Sequence, residues 1–133
     1  MLNNISLKQV KIKDDFWTPK LNLYQDVTLI DSFEKFENDR GGAINNFDRV
    51  ASGKSGDHAG PPWYDGLIYE MIRGAADFLH HKPDPELENR LDGYIERIKK
   101  AANYSGDGYL NTWTQLMEPD HRFGFNGGFL RWQ

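Results

Sequence analysis

Not one of the 133 residues is cysteine. That removes disulfides, a thiolate nucleophile and cysteine–zinc sites from the chemistry this chain can carry by itself. No run of about 18 apolar residues occurs, so no segment reads as a membrane-spanning helix. Lysine and arginine form no cluster, and the formal net charge is −4. Nucleic acid and anionic membrane surfaces are therefore not expected partners. The start, Met1-Leu2-Asn3-Asn4-Ile5-Ser6-Leu7, has neither a basic nor an apolar signal region, so a cytoplasmic location is the default expectation. The histidines, His58, His80, His81 and His121, contain no i, i+4 pair and no zincin spacing, so no metal site is expected within the chain. Gly124-x-x-Gly127-Gly128 lacks the lysine and preceding strand of a phosphate loop.

What is present is aromatic and periodic. Hydrophobic residues make up 38% and aromatics 14%, which excludes a disordered chain. From Tyr64, apolar or small residues fall at Leu67, Ile68, Met71, Ile72, Ala75, Ala76 and Leu79, the i, i+3, i+4, i+7 spacing of an amphipathic helix. Lys82-Pro83 ends it. Asp84 before Pro85 is an N-cap followed by proline at the first helical position, and a second helix carries Leu87, Leu91, Tyr94, Ile95, Ile98 and Ala102 up to Ser105-Gly106. The expected buried set of this hairpin is Leu67, Ile68, Met71, Ile72, Leu91, Ile95 and Ile98.

Residues 1–18 read as an extended arm. Val10 and Ile12 alternate with Lys11 and Lys13 like a short edge strand, and Phe16-Trp17 form an aromatic plug. Thr18-Pro19 predicts a helix from 19 to about 38, with Leu21, Tyr24, Val27, Thr28, Phe33 and Phe36 inward. Residues 41–62 are rich in Gly, Pro, Asn, Asp and Ser and read mostly as loop. Ile44, Phe47 and Val50 allow one helical turn inside it, and 54–58 is expected as an exposed tip. Residues 113–129 read as a second long loop.

Five motifs then stand in register: Asp15-Phe16-Trp17-Thr18-Pro19, Ile44-Asn45-Asn46-Phe47, Trp63-Tyr64-Asp65-x-x-x-Tyr69-Glu70, Pro83-Asp84-Pro85-Glu86-Leu87 and Asp107-Gly108-Tyr109-Leu110. Together they resemble the N-terminal portion of glycoside hydrolase family 127, the β-L-arabinofuranosidase family. The resemblance implies a mainly α fold, a partial (α/α)6 toroid with an extended N-terminal arm, residues 19–133 being a truncated first part of the toroid domain. It implies a retaining exo-glycosidase acting on terminal L-arabinofuranosides. In such an enzyme a zinc-bound cysteine thiolate is the nucleophile and a glutamate the acid/base, and these lie beyond the matched portion. Zinc is thus expected in the complete enzyme and no cofactor in this chain. No catalytic residue is assigned here.

The candidate substrate-binding residues are Asn45, Trp63, Asp65, Asp107, Tyr109 and Trp113. Asp65 and Asp107 sit at loop–helix junctions. Each reads either as a cap or turn former or as a hydrogen-bond partner for sugar hydroxyls. A catalytic pair would need carboxylates about 5–9.5 Å apart. Trp63, Tyr64, Tyr109 and Trp113 read as sugar-stacking faces or as core mass. Asn45 and Asn46 read as hydroxyl donors or as Asx-turn residues. The expected partners are carbohydrate and either the downstream part of the same polypeptide or a second copy. Two other readings stay open: a non-enzymatic helical module that binds carbohydrate or a protein through its aromatic loops, and a stand-alone enzyme using Asp65 and Asp107.

Overall fold

The computed structural model describes residues 4–6, 9–38 and 42–122. Among them the regular elements are helical, with no strand. Residues 10–13 are exposed and join no ladder, so the edge strand suggested by their alternation is not formed. An isolated strand has nothing to satisfy its backbone hydrogen bonds.

The hairpin is the long-helix frame. α4, Tyr64–His81, and α5, Pro85–Tyr104, are joined by a three-residue turn. Asp84 is extended, and its carboxylate accepts from the Glu86 amide at 3.0 Å and the Leu87 amide at 3.1 Å, the cap the sequence predicts. α5 ends at the expected Ser105, before Gly106 in the left-handed region. Ile68 and Ala75 of α4 are buried, as are Leu87, Leu91, Tyr94 and Ala101 of α5. Met71, Ile72 and Ile98 are half-buried against them. Leu67 and Ile95 depart from expectation and are exposed. Each is one residue, about 100° of helix, from a buried neighbour or stripe.

The first helix is not uniform. α1, Trp17–Leu23, runs through a π-turn, Tyr24–Thr28, into α2, Leu29–Asn38. It starts two residues before Pro19, and Thr18 is not its cap. Asp14 Oδ1 accepts from the amides of Phe16 and Trp17, while Thr18 Oγ1 accepts from the Asp14 amide at 3.1 Å. The wider π-turn shifts the phase of the inward stripe. Tyr24, Val27 and Thr28 face outward, and Gln25 is buried in their place, donating from Nε2 to the Lys82 carbonyl at 2.7 Å. Leu29 and Phe33 restore the buried stripe beyond the π-turn.

The stretch expected as loop holds the densest part of the core. α3, Ala43–Ala51, buries Ala43, Ile44, Asn46, Phe47 and Val50 and lies along α5. Its polar residues are taken up by tertiary bonds. Asn45 Nδ2 donates to the Glu37 carbonyl at 3.1 Å, and Asn45 Oδ1 accepts from Arg97 Nη2 at 2.7 Å. Nearby, Glu37 is clamped by Arg90 at 2.9 and 2.7 Å and by the Tyr94 hydroxyl at 3.1 Å. The Arg90 hydrogen bonds hold the Glu37 carboxyl below its ordinary range. The described part of the second expected loop also contains helix: α6, Thr112–Met117, and a 3-10 turn, Pro119–His121. Residues 123–129 of that expected loop lie outside the described residues, as do Gly124, Gly127 and Gly128.

Candidate functional site

Two connections, residues 52–63 and 105–111, converge beside the N-terminus of α4. Asp65, in the first turn of α4, does not cap its own helix. Its Oδ2 accepts from the Thr112 amide at 2.8 Å and its Oδ1 from the Thr112 hydroxyl at 2.6 Å. The carboxylate therefore satisfies the start of α6, 47 residues away in sequence. Burial is the largest influence on Asp65 and raises its pKa against the Thr112 hydrogen bonds.

His58 continues the chain of contacts. Expected at an exposed tip, it is half-buried. Nδ1 lies 3.1 Å from the Gly60 carbonyl, and Nε2 lies 3.1 Å from the Thr112 hydroxyl oxygen and 3.1 Å from Asn46 Nδ2. The orientation of Asn46 is fixed by the Ala59 peptide. Asn46 Oδ1 accepts from the Ala59 amide at 2.9 Å and from Arg49 Nη1 at 2.8 Å, and Nδ2 donates to the Ala59 carbonyl at 3.0 Å. Turning the amide over would set oxygen against oxygen and hydrogen against hydrogen. Nδ2 therefore points an N–H at His58, whose Nε2 must carry a lone pair. The Gly60 carbonyl can only accept, so the ring proton sits on Nδ1. In the state the Asn46 contact selects, His58 is a neutral imidazole protonated at Nδ1, and burial pushes its pKa below the ordinary value.

The loop is held at further points. The Gly56 amide donates to the Leu116 carbonyl at 2.6 Å, and Arg49 approaches Asp57 at 3.7 Å. Gly60 has φ +75°, and an added Cβ would lie 2.2 Å from the Tyr64 ring, so a glycine is needed there.

The sequence-predicted residues separate. Asp65 and Trp113 belong to the cluster; the Trp113 ring meets His58 edge to face with centroids 5.1 Å apart. Trp63, directly before α4, is exposed. Asp107 is exposed and forms a turn, accepting from the Ser105 hydroxyl, the Tyr109 amide and Arg122; these lower its pKa to about 2. Arg122 also stacks over the Tyr109 ring, 4.2 Å from its centroid. Asn45 donates to the Glu37 carbonyl and accepts from Arg97, apart from the Asp65 cluster. Asp107 is a separate exposed turn on α5's exit, tied to Arg122 rather than to the Asp65 cluster. Sequence reasoning missed His58, Asn46 and Thr112 as a unit. They stand at positions 46, 58 and 112 and share no local sequence signal.

The chain matches the family model described as β-L-arabinofuranosidase, GH127 catalytic domain, over residues 9–131. It belongs to that family. Comparisons with curated proteins and with solved structures return no match. GH127 membership accords with the described residues, whose regular elements are helices, and with the α4–α5 hairpin, the kind of unit an α/α toroid repeats. Among the described residues the donor set does not fit zinc. Thiolates are absent, and among the described residues no three His, Asp or Glu groups gather. Both ring nitrogens of His58 are already engaged. Thr112 is not a nucleophile in waiting either: it is fully buried, and its hydroxyl proton is committed to Asp65.

Proposed function

We propose that this chain supplies the N-terminal helical hairpins of a glycosidase that releases terminal L-arabinofuranosyl groups. The family match over residues 9–131 carries the reading. The nucleophile and the zinc site then come from residues outside this chain. Its own contribution is to shape one wall of the sugar site. Asp65, with both oxygens engaged by Thr112, acts as a positioning residue that fixes the two connections relative to α4. Trp63, exposed next to that node, offers an apolar ring face against which a pentose can stack. Tyr109, under Arg122, and Trp113, against His58, hold the second connection in place. The apolar residues left exposed, among them Phe16, Trp17, Leu23 and Val27, pack in this reading against the remainder of the domain or, in its absence, a second copy.

Two measurements test it. The purified chain should not hydrolyse aryl L-arabinofuranosides, with or without zinc and reductant, because it holds no thiol. Turnover that disappears in Asp65→Asn would overturn this and favour a stand-alone enzyme. Titration with L-arabinose, followed by amide NMR, should move Trp63 and its neighbours first. Binding with no response at Trp63 would sink the proposed wall.

A further inference from the structure

His58 Nε2 stands 3.1 Å from two groups that cannot both satisfy it in one protonation state. Asn46 Nδ2 is a donor only, held so by the Ala59 peptide. The Thr112 hydroxyl has one proton, already directed to Asp65 Oδ1 at 2.6 Å, and so turns a lone pair toward His58. With Nε2 bare, the Asn46 contact is a hydrogen bond and the Thr112 contact sets lone pair against lone pair. With Nε2 protonated, the roles reverse. The ring then donates to Thr112, which donates to Asp65, while the Asn46 N–H is opposed.

We propose that His58 is a two-position proton switch whose ring exchanges its Nε2 partner, while the Ala59 peptide stays paired with Asn46 and the Gly56 amide with Leu116 in both states. Neutral, the ring accepts from Asn46 of α3. Protonated, it donates to Thr112 of α6 and is coupled through it to the Asp65 carboxylate. No backbone rearrangement is required, because both partners are already at hydrogen-bond distance. The proton comes from solvent and remains on the ring. Among the described residues, the charged groups facing His58 are Asp65 from α4 and Arg49 from α3, with opposed effects. Arg49 is partly neutralised by Asp57 on His58's own loop, and Tyr69 lies beyond Asp65 on α4. α6 presents Thr112 and the Trp113 ring, neither of which ionises in this range. The Trp113 ring touches His58, so the switch reports directly into one aromatic candidate for sugar binding. The inference does not depend on the arabinofuranosidase reading and stands or falls separately from it.

Nitrogen-15 NMR of the histidine rings in the full chain tests it. Near neutral pH, His58 should show a protonated Nδ1 and a bare Nε2. On acidification the Asn46 side-chain amide and the Thr112 backbone amide should shift together with the ring, at one midpoint. Thr112→Val removes the acceptor of the protonated state and should lower that midpoint by roughly one pH unit. Thr112→Ser should restore it. A proton on Nε2 at neutral pH in the wild-type chain would overturn the proposal, whatever the variants do. So would a His58 midpoint unchanged in a folded Thr112→Val chain, or Asn46 and Thr112 signals that do not follow the ring.

Discussion

Asn46 concentrates more structural consequence than any other polar side chain in the site. It is fully buried, pairs both faces of the Ala59 peptide and touches Arg49 and His58. Asn46→Ala leaves several buried groups without partners and should cost roughly 2–4 kcal/mol in urea denaturation. Gly60→Ala should cost about 1–3 kcal/mol, since it forces a Cβ into a left-handed conformation and against the Tyr64 ring. The pH response follows from two opposed groups. His58 has a folded-state pKa below its ordinary 6.5, so the unfolded chain takes the proton first. Its stabilising contribution is complete above about 6.5 and is lost as the pH falls through that value toward the folded pKa. Asp65 is raised above 3.8, so its protonation favours the folded chain as the pH falls through the raised value. Thermal melts should therefore weaken on mild acidification, and His58→Gln, which cannot ionise, should flatten that decline. An undiminished decline in a folded His58→Gln chain would place the sensitive group elsewhere.

Among the elements, α3 is the keystone. Phe47 is fully buried between helices that are distant in sequence, and Phe47→Ala should cost about 3–5 kcal/mol. The clamp of Arg90 and Tyr94 on Glu37 joins the end of α2 to α5. Replacing Glu37 with Gln keeps the volume but removes the charge that the guanidinium grips. The expected loss is about 1–3 kcal/mol, present at neutral pH and absent once acid has protonated the wild-type carboxyl. A chemical-denaturation series in both conditions separates the two. The π-turn acts at the same scale. It is pinned through Gln25 to the α4–α5 turn and through Asp26 to Lys82 at 2.7 Å, so the phase of α1 is set by a partner more than 50 residues away.

Across the whole molecule, the described helices leave apolar side chains uncovered on α1, the π-turn and α4. Phe16, Trp17, Leu23, Tyr24, Val27, Trp63 and Leu67 are all exposed. A helical unit of a toroid covers part of its apolar surface only through its neighbours, as stacked repeats do. The isolated chain should therefore associate as its concentration rises. Size-exclusion chromatography with light scattering over a hundredfold dilution series reads this directly. A compact monomer throughout, with a sharp melt independent of concentration, would favour a finished helical module that binds its partners through the aromatic loops.

The parts of this protein that its sequence determined alone are those whose bonds close within a few residues. Asp84 reaches amides two and three positions ahead, and Pro85 fits the first turn, so the start of α5 was legible. Its end at Ser105, the periodicity of α4 and the absence of thiol chemistry were legible on the same terms, and the ordered motifs pointed to the family. Tertiary structure decided the rest. Asn45 and Asn46 look like turn formers until Glu37, Arg97 and Ala59 absorb their polar groups and let α3 form. Tyr24 and Val27 carry the right period, yet a π-turn held by Lys82 turns them outward and buries Gln25. Asp65 reads as a cap for its own helix, but its partner is Thr112, and His58 meets the same residue from a separate connection. Such pairings span 47 and 54 positions. No local propensity encodes them, because their energy exists only once the helices have packed.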